Sequence, residues 1–268
     1  MKLNMYADFT FKIPFEDRLM LIKDSGFDGV MLGFSEGLMY TQYETADRFG
    51  LEIENVHSPF DRMNALWELC PVSEYILNRT LECIDVCSEN GVRKVVVHPT
   101  DGLVPPKAGK FGLNNFDKLI NEAAKKNVRL LFENIQLPQF LNIIFDNFGD
   151  CGNVGFCYDV GHENCFSKGT DCLFEFARRL EALHIHDNDG SSDGHLIPYD
   201  GNIDYDKFLK KLSAASYGGP ISLEVYMGKS DKYAEYTCKS FVSKAARAGR
   251  YLVEKYSILR RQYEQISD

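Results

Sequence analysis

Apolar, β-rich runs alternate with stretches of helical periodicity from one end of this chain to the other, and that alternation restricts the fold more than any other feature. The runs read KLNMYADF, GVMLGF, LEIENVH, RKVVVHPT, VRLLFENI, VGFCYDVG, LEALHIHD and PISLEVY. Between them lie FEDRLMLIKDSG, YILNRTLECIDVCSENG, FDKLINEAAKKN and YDKFLKKLSAASYGG, several of which end in Gly or Asn as helix C-termini do. A long last helix is expected from about Tyr233 to Tyr263, ending in a charged, exposed tail. Strands that each lead into a helix build a parallel sheet. Eight such units in 268 residues match a closed α/β barrel, so residues 1–268 are read as a single (β/α)8 TIM-barrel domain. An open doubly wound sheet would carry a glycine-rich phosphate loop after an early strand, and GFDGVMLGFSEG is not GxGxxG. No linker, low-complexity tract or short repeat divides the chain.

In a barrel the chemistry gathers at the C-terminal ends of the strands. Strand three ends in His57, strand four in His98, strand five in Glu133 and strand six in Asp159, with His162 just beyond. Strand seven holds His184 and His186, strand eight holds Glu224, and a loop between them adds Asp193 and His195. All six histidines of the chain lie in these places. Side chains alternate along a strand, so His184 and His186 point opposite to Leu183 and Ile185, and Glu224 opposite to Leu223 and Val225. If the apolar neighbours face the helices, the acids and imidazoles face the barrel axis.

A single histidine at a strand end is more often a hydrogen-bonded structural residue than a ligand, and a single acid there is usually a helix N-cap. The whole set is harder to explain that way. Buried carboxylates need a partner, and several acids on one axis repel each other unless a divalent cation uses their charge. Glu133, Asp159, His184 and Glu224 are therefore the expected metal ligands, one from each of four consecutive strands. His186 is expected to bind substrate or to orient a ligand. Carboxylate with imidazole suits Mn²⁺, Zn²⁺, Co²⁺ or Fe²⁺, and an all-oxygen set would suit Mg²⁺ better.

The net charge of −9 does not attract polyanions and favours a small polar substrate over nucleic acid. No stretch is apolar enough to span a membrane, and MKLNMYADFTFKIPF lacks a hydrophobic region of signal-peptide length, so a cytoplasmic location is expected. The eight cysteines form no CxxC pair; Cys83 and Cys87, four apart on a helix, read as packing in a reducing compartment. Trp67 fits two roles, a cap over the pocket or a helix-packing residue. Arg178–Arg179 and Arg260–Arg261 read as solvated surface, and Pro105–Pro106 with Lys107 and Lys110 as an exposed loop.

The ordered series HSP, HP, FEN, DVGH, HIHD, DGH and SLEV resembles the xylose isomerase-like TIM-barrel superfamily, and the resemblance runs from the first strand to the last. That group includes sugar-phosphate isomerases and epimerases, ketose 3-epimerases, hydroxypyruvate isomerases, inosose dehydratases and zinc-dependent abasic-site endonucleases. The isomerase and epimerase pattern implies a divalent metal on Glu133, Asp159, His184 and Glu224, with Glu133 and Glu224 also serving as acid and base and His162 touching substrate oxygens. The substrate would be a small keto sugar or polyol, converted through an enediolate. The endonuclease pattern implies three zinc ions on His57, His98, Glu133, Asp159, His162, His184, Asp193, His195 and Glu224, and every one of those positions is filled. Two departures count against the nuclease: Tyr199 replaces the first glycine of a glycine–acid–glycine turn, and the loop SPFDRMNALWELCP holds few basic residues. A dehydratase and a sugar-binding barrel without catalysis are further readings, and the resemblance also implies a homo-oligomer.

Overall fold

A computed structural model describes residues 1–37, 39–167 and 169–267, with side chains up to residue 262. Each apolar run contains a strand: β1 Leu3–Tyr6, β2 Gly29–Gly33, β3 Glu52–His57, β4 Lys94–Val97, β5 Arg129–Glu133, β6 Val154–Asp159, β7 Leu180–His184 and β8 Ile221–Leu223. Among the described residues these strands make one parallel sheet in the order β7-β6-β5-β4-β3-β2-β1-β8. A parallel bridge between Ile185 and Leu223 brings its two edges together. Ile185 N–H donates to Ser222 O and Glu224 N–H to Ile185 O, each at 2.9 Å, so the ring is closed and the fold is a single (β/α)8 barrel.

Two apolar layers follow from strand parity. Val95, Val97, Leu130, Phe132, Phe156 and Leu183 face outward into the large core shared with the helices. Val96, Leu131, Cys157 and Ala182 form a small separate cluster inside the barrel. Two residues further along the same four segments stand His98, Glu133, Asp159 and His184. The pleat that buries the inner cluster therefore aims these four at the axis one layer higher. A register shift between Phe156 and Cys157 opposite β7 sets Asp159 level with His184.

The last helix runs Cys238–Ser267, preceded by a 3₁₀ turn at Asp231–Tyr233, so it begins five residues later than its periodicity suggests. It covers the β8–β1 seam. A side chain at Gly249 would come within 2.6 Å of Leu3 Cδ1 and 3.1 Å of Leu223 Cδ1, so glycine permits that close approach. Trp67 is a packing residue and not a pocket cap. It is buried, donates its indole N–H to Pro99 O at 2.8 Å, and lies against Phe116, Phe140 and the bare Cα of Gly112. Cys83 and Cys87 are free and buried on the helix Pro71–Glu89. Arg179 differs from the surface role expected of it: its guanidinium covers Phe145 and donates to Gly149 O. Among the described residues no helix is long and apolar enough to cross a membrane.

Candidate metal centre

Glu133 closes β5 and is fully buried. Its Oε1 lies 3.2 Å from His184 Nδ1 and 3.3 Å from His162 Nδ1. Its Oε2 lies 3.2 Å from His57 Nε2 and 3.1 Å from His98 Nε2, and those two nitrogens are 3.1 Å apart. His184 Nδ1 stands 3.4 Å from Glu224 Oε2. His98, His186 and Glu224 lie just past their strands rather than within them, because the backbone ladders stop earlier while the alternation of side chains continues.

Asp159 ends β6 and caps the helix Val160–Phe166, its Oδ1 accepting His162 N–H at 2.7 Å. The cap uses one carboxylate oxygen; Oδ2 is buried without a hydrogen-bond partner. Asn134, next to Glu133, fastens this end: its amide donates to Asp159 O at 2.7 Å and its Oδ1 accepts Asp159 N–H at 2.8 Å. Beside them, His186 Nε2 approaches Asp159 Oδ1 at 3.2 Å and Asp193 Oδ1 at 3.3 Å. His195 Nε2 reaches Asp193 Oδ2 at 2.9 Å, and His162 Nε2 lies 3.8 Å from Asp193 Oδ1. Gly161 is required here, since a Cβ would meet His186 Cε1 at 2.0 Å. His195 has φ +43°, a strained left-handed conformation at the rim of the site.

The tautomers decide what the cluster can hold. His57 Nδ1–H donates to Ser58 O at 2.8 Å, His162 Nδ1–H to Asn134 O at 3.0 Å and His195 Nδ1–H to Glu224 O at 2.8 Å. A neutral ring that donates through Nδ1 keeps a lone pair on Nε2. Those lone pairs are aimed at carboxylate oxygens or at another imidazole, acceptor against acceptor. Asp159 Oδ2, His184 Nε2, His186 Nε2 and Asp193 Oδ1 are buried with no hydrogen-bond partner. Such a set is either protonated or shares cations, and carbonyl-anchored imidazoles are the usual support of metal ligands.

Without a cation, these groups shift one another's proton affinities. Burial would raise Glu133, but the surrounding histidines outweigh it and hold the carboxyl well below its ordinary range. Asp159 is likewise brought down to about 2, against its burial, by His162 and His186. His162 is pushed up to about 10 because Asp159 and Glu133 outweigh its burial. His98 moves the other way: burial lowers it more than Glu133 raises it.

Among the described residues, groups of side chains bring one ligand atom each to within 4.8 Å of one another. Glu133, Asp159, His184 and Glu224 form one group; His57, His98 and Glu133 form another; His162, His186, Asp193 and His195 form a third. Every candidate that the sequence marks is thus gathered at one end of the barrel, and Glu133 belongs to two of these three groups. Imidazole nitrogen with carboxylate oxygen fits Zn²⁺, Mn²⁺, Co²⁺ or Fe²⁺. A further grouping joins Cys157 to Glu133 and His184, a thiol beneath the site that strand parity, two residues before Asp159, could have revealed. The end of β1, with Tyr6 and Asp8, and the helix Phe15–Asp24, with Arg18, carry polar groups that the sequence reading passed over.

The molecule is thus a closed eight-stranded α/β barrel whose C-terminal rim clusters imidazoles and carboxylates that could hold a metal ion. The model of the xylose isomerase-like TIM barrel matches residues 19–243, and the chain belongs to that family. An uncharacterized protein of Methanocaldococcus jannaschii is 30% identical over 210 residues, covering 68% of this chain and 67% of the relative. The fold is shared with a solved L-ribulose 3-epimerase (TM-score 0.79, 16% identity, 100% of this chain and 98% of that one). It is also shared with 3-keto-D-glucoside 4-epimerase from E. coli (TM-score 0.71, 16% identity, 94% of this chain and 100% of that one). At such identities the likeness concerns the fold.

Proposed function

We propose that the protein is a divalent-metal-dependent sugar isomerase or epimerase that moves a proton on a small keto sugar or polyol. The observation that carries this reading is the convergence of Glu133, Asp159, His184 and Glu224 from four consecutive strands within 4.8 Å. Those four would hold the ion. When bound, it would supply Lewis-acid polarisation of a carbonyl and charge for an adjacent oxygen. The remaining work belongs to the chain. Glu133 and Glu224, the two carboxylates beside His184 Nδ1, take the proton from carbon and return it. Return by the same carboxylate to the neighbouring carbon gives isomerisation; return by the other to the opposite face gives epimerisation. His162 faces the substrate oxygens, its orientation set by Asn134 O. Asn134 keeps Asp159 in place while charge develops. The structural relatives whose names include 3-epimerase and 4-epimerase agree with this reading. The eight free thiols agree with a reducing, cytoplasmic setting.

The test is solvent exchange. Metal-loaded protein is incubated with a panel of ketoses in deuterium oxide, and deuterium is sought at the carbon next to the carbonyl. Incorporation that Glu133→Gln abolishes supports the proposal; incorporation that survives in the metal-loaded variant refutes the role of Glu133.

A second reading, a zinc-dependent phosphodiesterase acting at abasic sites, is favoured by one specific observation: the His57–His98–Glu133 and His162–His186–Asp193–His195 groups stand beside the first. Three tightly held zinc ions per chain with incision of an abasic-site oligonucleotide would establish it. One exchangeable ion with no incision would exclude it.

A further inference from the structure

A cavity of about 500 Å³ lies beside the metal centre, among the loops that follow β1, β2 and β3. That volume is within the range of small-molecule sites. His57 lines it, and the Nε2 of the same ring faces Glu133 Oε2 at 3.2 Å, so the cavity and the site share that ring as a wall. Tyr6, also in its wall, lies close enough to Glu224 and His184 to feel their charge.

Its construction is unusual for a surface recess. At the base, Arg18 and Asp8 are buried and paired, and the guanidinium is clasped between the rings of Phe11 and Phe15 at 5.2 Å and 5.1 Å. Gly33 keeps the floor open: a Cβ there would come within 2.7 Å of Tyr6 Oη and 3.4 Å of Asp8 Oδ2. At the rim stand two aromatic rings that the core does not use, Phe11 at 70% exposure and Phe60 at 52%. Phe60 is held edge-on to His57 at 5.3 Å. Exposed aromatic surface beside a polar recess marks a ligand groove.

The charges narrow the ligand. The two guanidinium groups in the wall are already committed, Arg18 to Asp8 and Arg79 to Glu36. Asp61 adds a carboxylate to the lining. A phosphate would meet guanidinium charges that carboxylates already balance. A sugar ring suits the recess better, with hydroxyls to exchange hydrogen bonds with Asp8 and Tyr6 and a C–H face to lie on Phe11 or Phe60.

We propose that this cavity is a glycosyl subsite, so that the substrate is a neutral keto sugar carrying a second sugar ring. This deepens the isomerase reading and rests on it. Binding is measured by calorimetry on the metal-loaded protein with D-fructose, fructose 6-phosphate and three keto-disaccharides, lactulose, turanose and isomaltulose. At least one disaccharide is expected to bind about ten-fold tighter than fructose and its phosphate, a difference of about 1.4 kcal/mol. Phe11→Ala and Phe60→Ala, both on exposed rings, should erase that preference. Fructose or its phosphate binding as tightly as every disaccharide, a preference untouched by both variants, or no binding of any probe would overturn the proposal. Deuterium exchange on the same probes separates the two ideas. Exchange into fructose without a disaccharide preference removes the subsite alone; a disaccharide preference without exchange removes the isomerase alone.

Discussion

The barrel buries a glutamate near each end of its axis, and the two are satisfied in opposite ways. Glu54, toward the N-terminal end, is met by donors: Asn4 donates its amide at 3.1 Å, the Ser222 hydroxyl donates to the same oxygen, and Lys94 Nζ lies 3.9 Å from the other. Glu133, at the C-terminal end, is met by imidazole nitrogens, and two of those rings, His57 and His162, already donate a proton to a backbone carbonyl. Donors of the fold complete one oxygen of Glu54, while its Oε1 is buried without a hydrogen-bond partner. Glu133 is ringed by imidazoles instead and calls for protons on those rings or a cation among them. The contrast follows a division seen in such barrels, stability at one end and chemistry at the other.

The largest effect that would break this comparison is at Glu133. Glu133→Gln should lower turnover by about 10²–10⁴-fold and weaken metal binding, while circular dichroism and the unfolding temperature stay near those of the parent. Equal metal affinity in parent and variant would show that the two ends do not differ as described.

Gly161→Ala tests the neighbouring group without touching a ligand. The added methyl collides with His186, so a loss of about 1–3 kcal/mol in stability is expected, with lower zinc uptake. Unchanged zinc uptake would place His186 outside the cation-binding set.

Glu54→Gln is the counterpart. Burial raises the Glu54 carboxyl above its ordinary 4.5, more than Ser222, Lys94 and Asn4 lower it. The folded state therefore holds this proton more tightly than the unfolded chain does. Stability from this group is present in acid and is lost as pH rises through the ordinary carboxylate range toward the folded value. Calorimetric unfolding across an acid-to-neutral series should show a flatter slope in Glu54→Gln, with turnover unchanged. A loss of turnover like that of Glu133→Gln would erase the distinction.

The smallest effect concerns a turn in the loop that follows β7. Tyr199 has φ +75°, where glycine is favoured, and its ring lies against Tyr205 at 4.8 Å and Tyr251 at 5.5 Å. Tyr199→Gly should be more stable than Tyr199→Ala by about 1 kcal/mol, read by denaturant unfolding, because only alanine retains the strain. Equal stability would mean that the turn relaxes.

The barrel was legible because its cause is local. Each strand is short, buried on both faces and bounded by helix signals, so a parallel sheet is written in the pattern itself. The rim was legible where alternation is unbroken, as from Leu131 to Glu133 and from Ala182 to His184. It failed at β3, where the register shifts so that Val30 pairs with Ile53 and Met31 with Asn55. Glu54, which simple alternation would turn outward, instead meets Asn4, Ser222 and Lys94 from three other strands. A one-residue bulge reverses parity and leaves no mark in composition. Asp8 and Arg18 were missed for another reason: they meet across a turn that neither a strand period nor a helix period describes.

The central claim, that the lone pairs around Glu133 share a divalent cation, is tested most directly by plasma mass spectrometry of the purified protein, with thermal unfolding after Zn²⁺ or Mn²⁺ is added to metal-stripped protein. At least one equivalent of a divalent ion is expected in the protein as purified, with a gain of about 2.7 kcal/mol at a hundredfold excess over the dissociation constant. A metal-free protein whose unfolding temperature ignores both ions would contradict it.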